Sequence, residues 1–569
     1  MHGFNVFISQ NAAQQQPHFC WKKPFDFQPT LELRTFSDEH IVVEQFTETK
    51  FMSEKLWLDN EDFFIVTDGV ITNLKALCLQ HNVSNHDELI GKMLKDKDFF
   101  KYFRGHFVGF IYLKKEKKFI AFNNQTGSKK LFYFANQNTI AIGTDLYTLS
   151  KLLEDQKIKK TLDTEAAIFL LTSGFMHENL TLLKEVKQLR AGEFLQIDNF
   201  RLKTDFYFRL QDIQENRDSK ADIVEQLDFL FKKSVDNEFS LDKSHQLISL
   251  TTLSGGLDSR MVALTALQSG FSNQMFFNFS AKGYADEVIA RQISDKYRVP
   301  LAASVVDAES LKPVEEVVLV NDGLTIYTGA SAVFDAIKRL EISDTGMIHT
   351  GMLGDALLGS YLIADHKTKP QISDGVYSTK LLSKYASVFQ KYIQNYSDTE
   401  IYKFYNRGFS GMNNGFLYFD LCGESDAAFL NPDFLSYALS IPAKYRYKEQ
   451  IYIDWIKIKH PEFAGFIWES IGGKPTNNKT LLSYYRYRRA LLKRLPFKTM
   501  WKNNMNPEQL WYDKNLSVRQ TLDQYFVENI HLLSSNSELY GDCQFLYREG
   551  NITEKAQVLT LLAACKLLL

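Results

Sequence analysis

A glycine-rich turn between a strand-like and a helix-like segment constrains the fold more than any other feature. The sequence SGGLDS at 254–259 follows an apolar run at 247–253 and precedes apolar residues at helical spacing. The alternation continues with a predicted strand at 275–279, a helix at 286–297 and a strand at 301–306. Strands and helices in this order are typical of a parallel sheet covered by helices. The rest of the chain after this region is predicted to be mostly helical.

The residue types in the turn predict a phosphate-binding loop. Gly255 and Gly256 allow the backbone to approach a ligand closely, and the helix that follows offers N–H groups at its positive end. The hydroxyl groups of Ser254 and Ser259 can donate hydrogen bonds to phosphate oxygens. Asp258 would repel a phosphate unless Mg²⁺ lies between them, because Mg²⁺ prefers oxygen ligands. The alternative is a tight turn with no ligand.

Residues 1–205 are predicted to form a domain of their own, an α+β fold rich in strands. Apolar runs bounded by turn residues predict the strands, and apolar residues at helical spacing predict the helices. The strands are expected at 63–66, 107–113 and 119–122, and the helices at 72–80 and 164–172. Residues 206–222 are polar and are the best candidate for a linker. The second domain is therefore placed at 222–569.

Charge and composition argue against several classes of partner. The formal net charge of −2 gives no field that would draw the chain to nucleic acid or to a membrane. The five cysteines show neither a Cys-x-x-Cys pair nor a Cys/His metal spacing, which indicates free thiols in a reducing cytoplasm. The N-terminus lacks the pattern of a signal peptide. The apolar C-terminus at 556–569 is shorter than the ~20 residues that span a bilayer and predicts a buried closing helix.

Further segments carry motifs that point to a family. They read FRGHFVGF at 103–110, G at 127 with LFY at 131–133, RAGEF at 190–194, TGMLGDALLGSY at 350–361 and FLN at 429–431. With the glycine-rich turn, these segments resemble the glutamine-dependent asparagine synthetases and their relatives, which include β-lactam synthetases and lasso-peptide cyclases. The resemblance covers nearly the whole chain, and its specific parts are the turn and segment 350–361.

The resemblance implies an αββα sandwich of the amino-terminal-nucleophile hydrolase type, followed by an α/β pyrophosphatase-loop domain with a helical C-terminal part. Enzymes with such a loop cut ATP between its α and β phosphates and leave AMP on an acid or carbonyl substrate. The expected cofactors are ATP and Mg²⁺. The expected partners are a small-molecule or peptide carboxylate and an amine or ammonia. No nucleic-acid or membrane partner is expected, and a homodimer is left open.

The resemblance also assigns roles to residues near the turn. Asp355 is expected to join Asp258 in holding Mg²⁺ on the pyrophosphate, which suits two carboxylates combined with phosphate oxygens. By itself, Asp355 would be interpreted as an acid beside a glycine turn. Thr350 and Gly351 match the stretch that lies against adenosine.

Three further positions have a functional and an ordinary interpretation. Leu253 and Phe279 match apolar positions near the adenine base, although by residue type alone both would be core residues of strands. Lys474, in a flexible loop at 472–476, matches a lysine that neutralises charge on the pyrophosphate and on the reacting carbonyl. The alternatives for this position are a surface lysine, or Lys479 in the same role.

Two charged segments also allow two interpretations. Asp286 and Glu287 open a predicted helix, where acids are favourable at the positive end, and the resemblance places an acid near the pyrophosphate at this point. Residues 484–494 form a basic, aromatic helix. A solvated face is the ordinary interpretation of such a run, and a docking face for an acidic partner or carrier substrate is the alternative.

The chain departs from the family in the part where the resemblance implies glutamine hydrolysis. The cysteine that the family carries directly after the initiator methionine is His2 here. The family's Asn-Gly-Glu segment appears as Asp-Gly-Val at 68–70, and its Arg-Asp pair appears as Asn-Asn at 123–124. Three losses in one site predict a domain that does not hydrolyse glutamine.

The second half departs from the family as well. Two residues after Thr350, asparagine synthetases carry a glutamate and β-lactam synthetases a tyrosine, but this chain carries Met352, which cannot act as a base. The acid after Asp355 is replaced by Ala356. These changes argue against ordinary asparagine synthesis and leave ATP binding and adenylation open. Glu424 is one candidate for the missing base.

The sequence therefore predicts a ligase that activates a carboxylate as an acyl-adenylate, for capture by an amine or ammonia, without glutaminase activity. Two other hypotheses stay open: a non-catalytic ATP-binding or scaffold protein, and an asparagine synthase that uses ammonia. A tRNA-modifying enzyme with the same loop is disfavoured, because the sequence shows no basic nucleic-acid domain and no cysteine cluster.

Overall fold

The computed structural model describes residues 2–10, 17–22, 31–340, 342–492 and 506–569. Two six-stranded antiparallel sheets form the first part of the chain. Their strands are β1 Gly3–Ser9, β2 Leu31–Asp38, β3 Ile41–Glu48, β4 Trp57–Asp59, β5 Phe63–Ile71, β6 Gly105–Leu113, β7 Lys118–Asn123, β8 Phe132–Ala135, β9 Thr139–Gly143, β10 Lys187–Gln188, β11 Glu193–Asp198 and β12 Arg201–Phe206. The first sheet has the order β10-β8-β9-β1-β3-β2, and the second has the order β12-β11-β7-β6-β5-β4.

The two sheets pack face to face, and helices cover both outer faces. The helices are α1 Leu74–Gln80, α2 His86–Met93, α3 Leu146–Asp155 and α4 Thr164–Thr172. Along β5 the side chains alternate, so that Phe64 and Val66 belong to the core between the sheets while Phe63 and Ile65 pack under α1 and α2. Full burial of such a side chain contributes about 1.5–3 kcal/mol. Helices α3 and α4 cover the first sheet, which confirms the predicted four-layer αββα sandwich.

A five-stranded parallel sheet forms the centre of the second part. Its strands are β13 Ile248–Thr252, β14 Gln274–Ser280, β15 Leu301–Val305, β16 Thr345–His349 and β17 Ser425–Asp426. The helices that precede and alternate with them are α5 Lys220–Ser244, α6 Asp258–Gln268, α7 Ala285–Tyr297, α8 Val314–Asn321 and α9 Thr328–Ile337. The predicted alternation of strands and helices from 247 to 306 is therefore confirmed.

The order of the parallel sheet identifies where a ligand is expected to bind. The order is β15-β14-β13-β16-β17, so the chain builds outward from β13 first on one side and then on the other. In open α/β sheets, ligands bind beyond the carboxyl ends of the strands at the point where this direction switches. The SGGLDS turn leaves β13 and segment 350–361 leaves β16. Both specific motifs therefore meet at the switch point.

Most of the chain after β16 is helical, as predicted. The helices are α10 Ala386–Ile393, α11 Thr399–Lys403, α12 Phe416–Phe419, α13 Pro432–Ser440, α14 Ala443–Arg446, α15 Gln450–Lys459, α16 Lys479–Leu492, α17 Glu508–Lys514, α18 Leu516–Asn529, α19 Ser537–Glu549 and α20 Ile552–Leu568. Two further segments, Ala356–Ser360 and Phe404–Gly411, are π-helical. Within the described ranges, no helix is long and apolar enough to cross a membrane.

Helix α20 is the buried closing helix that the sequence predicts. Its side chains at Leu559, Leu561 and Leu562 are fully buried. It packs against α3 and α4 in the first part of the chain and against α8, α18 and α19 in the second. One hydrophobic core therefore contains residues from both parts.

The division of the chain into domains at 1–205 and 222–569 stays a prediction. Strand β12 ends at Phe206 and helix α5 begins at Lys220. The connection between them contains a short turn in which Leu210 is buried. Because α3, α4 and α20 share one core, the two parts do not behave as separate bodies joined by a loose linker.

Candidate active site

The SGGLDS turn is held in place by its own hydroxyl groups. The backbone N–H of Ser254 donates to Oγ of Ser259 over 3.0 Å, and that of Gly256 donates to Oγ of Ser254 over 3.1 Å. Helix α6 begins at Asp258, and within this described stretch no side chain caps its N-terminus. Its first N–H groups can therefore bind an anion, as the phosphate-loop prediction requires.

Gly255 fits closely against two neighbouring segments. A Cβ atom at this position would lie 2.7 Å from Cβ of Glu469 and 2.9 Å from Cδ1 of Ile289. The backbone N–H of Gly255 donates to Oδ1 of Asp286 over 2.6 Å. Asp286 is thus tied directly to the turn, whereas Glu287 accepts hydrogen bonds at the start of its own helix. The helix-terminal interpretation suits Glu287, and Asp286 is a part of the candidate site.

Asp258 and Asp355 face each other at the switch point. The turn after β16 packs directly on the start of α6: a Cβ at Gly351 would lie 2.4 Å from the backbone nitrogen of Ser259, and one at Gly354 would lie 2.8 Å from Cγ of Asp258. Both carboxylates keep partial exposure to solvent. Burial and the neighbouring Asp355 raise the pKa of Asp258 well above its usual range, and burial raises the pKa of Asp355. The pair is therefore electrostatically unfavourable without a cation.

The donor set of this pair fits a hard cation. Carboxylate oxygens are ligands that Mg²⁺ prefers, usually as one or two carboxylates combined with waters and phosphate oxygens. Among the described residues, no three His, Cys, Asp or Glu side chains are grouped so that they could hold a metal alone. A Mg²⁺ ion at this position would therefore need the phosphates of a nucleotide as further ligands.

Two residues that the sequence interpretation missed complete the cluster. The hydroxyl group of Tyr452 donates to Oδ1 of Asp258 over 2.8 Å. Glu449 accepts a hydrogen bond from Nη2 of Arg486 over 3.2 Å. Burial, followed by the charge of Asp355, raises the pKa of Glu449 to about 7. The site therefore holds a third acid beside the expected pair.

The backbone before α15 explains how Glu449 reaches the site. Lys448 and Glu449 have φ angles of 56° and 59°, a left-handed conformation that costs energy for residues other than glycine. Residues Tyr447–Glu449 pack against the π-helical segment Ala356–Ser360 that follows Asp355. The local sequence carries no motif for this arrangement, so only the packing reveals it.

The positions matched to adenosine lie along one edge of the parallel sheet. Thr350 and Gly351 directly follow β16, and Thr350 is buried. Leu253 follows β13, is 2% exposed and donates its backbone N–H to the carbonyl oxygen of Phe277. Phe279, near the end of β14, is partly buried and packs on Phe277 with ring centroids 5.3 Å apart. The structure brings the four positions to the same edge and places Leu253 in the core.

The loop of Lys474, rather than its side chain, contacts the turn. The backbone N–H of Glu469 donates to the carbonyl oxygen of Gly255 over 3.0 Å, and Trp468 pairs with Gly473 in an isolated bridge. The Lys474 side chain is exposed. The rival position, Lys479, begins helix α16.

His2 belongs to a buried cluster of charged side chains between the two parts of the chain. Its Nδ1 atom lies 2.9 Å from Oδ1 of Asp68, and Nζ of Lys129 lies 3.1 Å from Oδ2 of Asp68. Lys129 also lies 3.4 Å from Asp420 and 3.8 Å from Glu424. All five residues are 6% exposed or less. An ion-paired histidine thus occupies the position at which the resemblance implies a nucleophile.

Two family models match the chain. One, described as a glutamine amidotransferase domain, matches residues 59–208, and the other, described as asparagine synthase, matches residues 245–407. The chain belongs to the asparagine synthetase family. The family is one of ATP-dependent amide ligases.

No curated protein sequence matches the chain. Among solved structures, glutamine phosphoribosylpyrophosphate amidotransferase from B. subtilis, complexed with ADP and GMP, is similar at 9% sequence identity and a TM-score of 0.20, over 62% of this chain and 75% of that chain. A structure of the allosteric regulatory enzyme of purine biosynthesis is similar at 9% identity and a TM-score of 0.24, over 73% of this chain and 88% of that chain.

In this member of the asparagine synthetase family, Glu424 belongs to the cluster around His2. Its Oε1 atom lies 2.6 Å from Nζ of Lys55. Met352, which stands where the family carries a glutamate, is partly buried near Gly415. In the described residues no hydrogen bond or ion pair joins Glu424 to Met352 or Asp355. The role of Glu424 as the missing base therefore stays a prediction without a supporting contact.

The basic, aromatic run of this family member lies on helix α16. Tyr484 and Tyr487 are 57% and 70% exposed, as a solvated face requires. Arg486 turns toward the site and donates to Glu449. Lys493 and Arg494, which belong to the same predicted run, lie outside the described residues. Docking of an acidic partner on this helix stays a prediction.

Replacing His2 by glutamine should destabilise the protein by about 1–3 kcal/mol below pH 6, and by less at higher pH. Burial and Lys129 oppose protonation of His2, but Asp68 and Glu424 outweigh them and raise the pKa of His2. Protonated His2 therefore stabilises the folded protein fully below a pH of about 6.5, the pKa of histidine in the unfolded chain. This stabilisation is lost as the pH rises through the pKa of His2 in the folded protein. Urea unfolding of both proteins from pH 5 to pH 9 measures this difference.

The matched control is His531→Gln, which changes an exposed histidine. This variant should follow the wild-type stability at every pH. A difference between the wild type and His2→Gln that stays constant from pH 5 to pH 9 would contradict the raised pKa.

Proposed function

We propose that the chain is an ATP-dependent ligase that adenylates a carboxylate, releases pyrophosphate, and transfers the acyl group to an amine or to ammonia with release of AMP. The observation that carries this proposal is the pair Asp258 and Asp355 at the carboxyl ends of β13 and β16. Two neighbouring acids that repel each other destabilise a folded protein unless a cation accompanies them. If the protein must hold a cation at the phosphates of ATP, this function explains why two acids are placed side by side at a cost in stability.

In this proposal the turn and the two acids act on the phosphates of ATP. The N–H groups at the start of α6 and the hydroxyl groups of Ser254 and Ser259 bind phosphate oxygens. Asp258 and Asp355 hold Mg²⁺, which when bound supplies charge neutralisation for the pyrophosphate leaving group. Tyr452 fixes the orientation of the Asp258 carboxylate, because its hydroxyl donates to one of the two carboxylate oxygens.

For the remaining predicted residues, the proposed roles are supported by their position in the fold. Thr350, Gly351, Leu253 and Phe279 are proposed to contact the adenosine, since all four lie at the edge where β13, β14 and β16 end. Lys474 is proposed to neutralise charge on the pyrophosphate and on the reacting carbonyl, since its loop contacts the turn at Gly255. The five free cysteines support placing the protein in the reducing cytoplasm.

The protein is expected to release no glutamate from glutamine. His2 offers no thiol, and its ring is held by Asp68 in a buried ion pair. Incubation with amide-¹⁵N-glutamine, followed by NMR detection of ammonium, measures the activity directly. His2→Cys is expected to stay inactive as well, because the neighbouring Val70 and Asn124 also depart from the family. Ammonium release that disappears in an Asp68→Ala variant would contradict this prediction.

The proposed ligase reaction is tested by exchange of radioactive pyrophosphate into ATP across a panel of carboxylic acids. We expect exchange with one class of acid, dependent on Mg²⁺, and AMP release when the correct amine or ammonium is added. Aspartate with ammonium should give no asparagine, because Met352 cannot take a proton from the incoming nitrogen. Stoichiometric asparagine would instead identify an asparagine synthase that uses ammonia.

A non-catalytic ATP-binding protein is the second candidate, favoured by Met352 and Ala356. Calorimetric titration with ATP and Mg²⁺ separates the two. Binding without exchange or AMP release for any acid in the panel would support the scaffold and would count against the ligase.

A further inference from the structure

A small polar cavity lies between the two parts of the chain, and we name it the interdomain cavity. Asn124, Thr126 and Ser128 line it from the first part, and Glu238 and Asp426 line it from the second. Its volume is about 10 Å³, which is the space that a single water-sized occupant needs. None of these five residues belongs to the SGGLDS turn or to the acid pair of the candidate active site.

The walls of the interdomain cavity offer oxygen acceptors and negative charge. The described lining residues include two carboxyl groups and neither lysine nor arginine. Ser234, also in the wall, donates its hydroxyl hydrogen to the carbonyl oxygen of Ala428 over 2.8 Å, so its lone pairs can accept. Thr126 is 1% exposed, and its hydroxyl oxygen has no hydrogen-bond partner in the described residues. A buried hydroxyl group without a partner is rare and indicates an occupant.

The charge of Asp426 affects the protonation of Glu238 across the cavity. Burial and Asp426 raise the pKa of Glu238 to about 8, and burial raises the pKa of Asp426 to about 6. The other groups that face Glu238 are His349, 3.2 Å away, and Asp242. Because both acids retain protons more strongly than in water, a cation in the cavity would bind more tightly as the pH rises and the protons leave.

We propose that the interdomain cavity binds one monovalent cation of about the size of water, either ammonium or potassium. Ammonium brings four N–H donors, and potassium takes oxygen ligands in place of its hydration shell. Both match walls of carboxyl, hydroxyl and amide oxygens. A divalent metal suits the site less, because no group of three metal-binding side chains exists among the described residues. This binding requires no ATP and is independent of the proposed ligase reaction.

The test is thermal melting of the full-length protein without ATP, at pH 8 and at equal ionic strength, in chlorides of ammonium, potassium, lithium and N-methylglucamine. We expect a saturable rise of about 2 °C or more in ammonium or potassium, and none in the other two salts. The half-saturating concentrations of ammonium and potassium identify which cation the site prefers. The rise should be smaller at pH 6, where Glu238 holds its proton and Asp426 is about half protonated.

Two variants confine the effect to the cavity. Asp426→Asn keeps an acceptor for the backbone N–H of Ala427 but removes a charge, and Thr126→Val removes the hydroxyl group without a partner. Each should raise the half-saturating concentration about tenfold or more, and either variant suffices if the other fails to fold. Asp433→Asn, a partly exposed acid on α13, is the matched control and should respond like the wild type. Equal responses in all four salts, or an unchanged response in both cavity variants, would overturn the proposal and leave water as the occupant.

Discussion

Replacing Asp258 by asparagine should reduce Mg²⁺-dependent ATP turnover about 100-fold or more and, at the same time, raise the melting temperature. Loss of one electrostatic contact to a leaving group costs ~3 kcal/mol, and each 1.36 kcal/mol changes a rate tenfold. The stability should increase because the substitution removes the repulsion between Asp258 and Asp355. Asparagine also keeps an oxygen that accepts the hydrogen bond from Tyr452. Stability gained where function is lost is the usual sign of a charged active site.

The two effects are measured separately. Pyrophosphate release with the best acid substrate reports on turnover, and calorimetry in Mg²⁺-free buffer without ATP reports on stability. Asp355→Asn should behave in the same way, whereas Asp365→Asn changes an exposed acid ten residues further on and should alter neither quantity. An Asp258→Asn protein that melts at a lower temperature while losing activity would show that Asp258 supports the fold and does not hold a cation.

Replacing His349 by leucine should lower the free energy of unfolding by about 3–5 kcal/mol. The His349 ring is fully buried, with Nδ1 3.2 Å from Glu238 and Nε2 2.7 Å from Asp242. Its other face stacks on Phe239, with ring centroids 3.7 Å apart. Leucine preserves much of the apolar packing but removes the cation between two buried acids. Breaking a buried ion pair in this way is strongly destabilising because a charge is left uncompensated.

The pH dependence of this effect has a defined sign. Burial opposes protonation of His349, but Asp242 and Glu238 outweigh it and raise the pKa of His349 to about 9. Protonated His349 therefore stabilises the folded protein fully below about pH 6.5, and this stabilisation is lost as the pH rises through about 9. Urea unfolding at pH 7 and at pH 9.5 should therefore show a gap between wild type and His349→Leu that narrows at the higher pH. The exposed His366, changed to leucine, is the control; a gap that is equal at both pH values would refute the assignment.

The parallel-sheet half of the fold was predictable because its signals are local. The glycine positions of the turn and the apolar runs around it depend on residues close in sequence. The predicted strand at 275–279 is β14 Gln274–Ser280, and the predicted helix at 286–297 is α7 Ala285–Tyr297. The placement of Asp355 opposite Asp258 came from the resemblance to a family, since nothing in spacing alone brings residues 97 positions apart together.

The parts that could not be predicted depend on distant packing. Tyr452 binds Asp258 although it lies 194 residues further along the chain. Glu449 is brought to the site by a left-handed backbone conformation for which the local sequence contains no motif. At His2 the sequence indicated what the site had lost. It did not indicate that Lys129 would lie beside the histidine, because the two are distant in sequence. Nor did it indicate that Asp420 and Glu424 would join them, because those contacts form only when the first and second parts of the chain meet.

The polar connection at 206–222 illustrates a related difficulty. Its composition predicts a linker, and in the structure a single short turn, Leu210–Asp212, lies between the end of β12 at Phe206 and the start of α5 at Lys220. The composition of the connection indicates that it is exposed to solvent, however, and does not indicate whether the two parts of the chain that it joins pack against each other. The core shared by α3, α4 and α20 is formed by apolar residues far apart in sequence, which a local pattern does not link.

Helix α20 imposes an order on the assembly of the chain at the ribosome. It is translated after every other described element, yet it packs against α3 and α4 near the beginning. The part of the α3 and α4 surface that α20 covers therefore stays exposed until α20 has been translated. A product of premature termination before residue 552 would retain those surfaces in water and become a substrate for chaperones and proteases. Loss of α20 would therefore expose apolar surface in the first part of the chain as well as in the second.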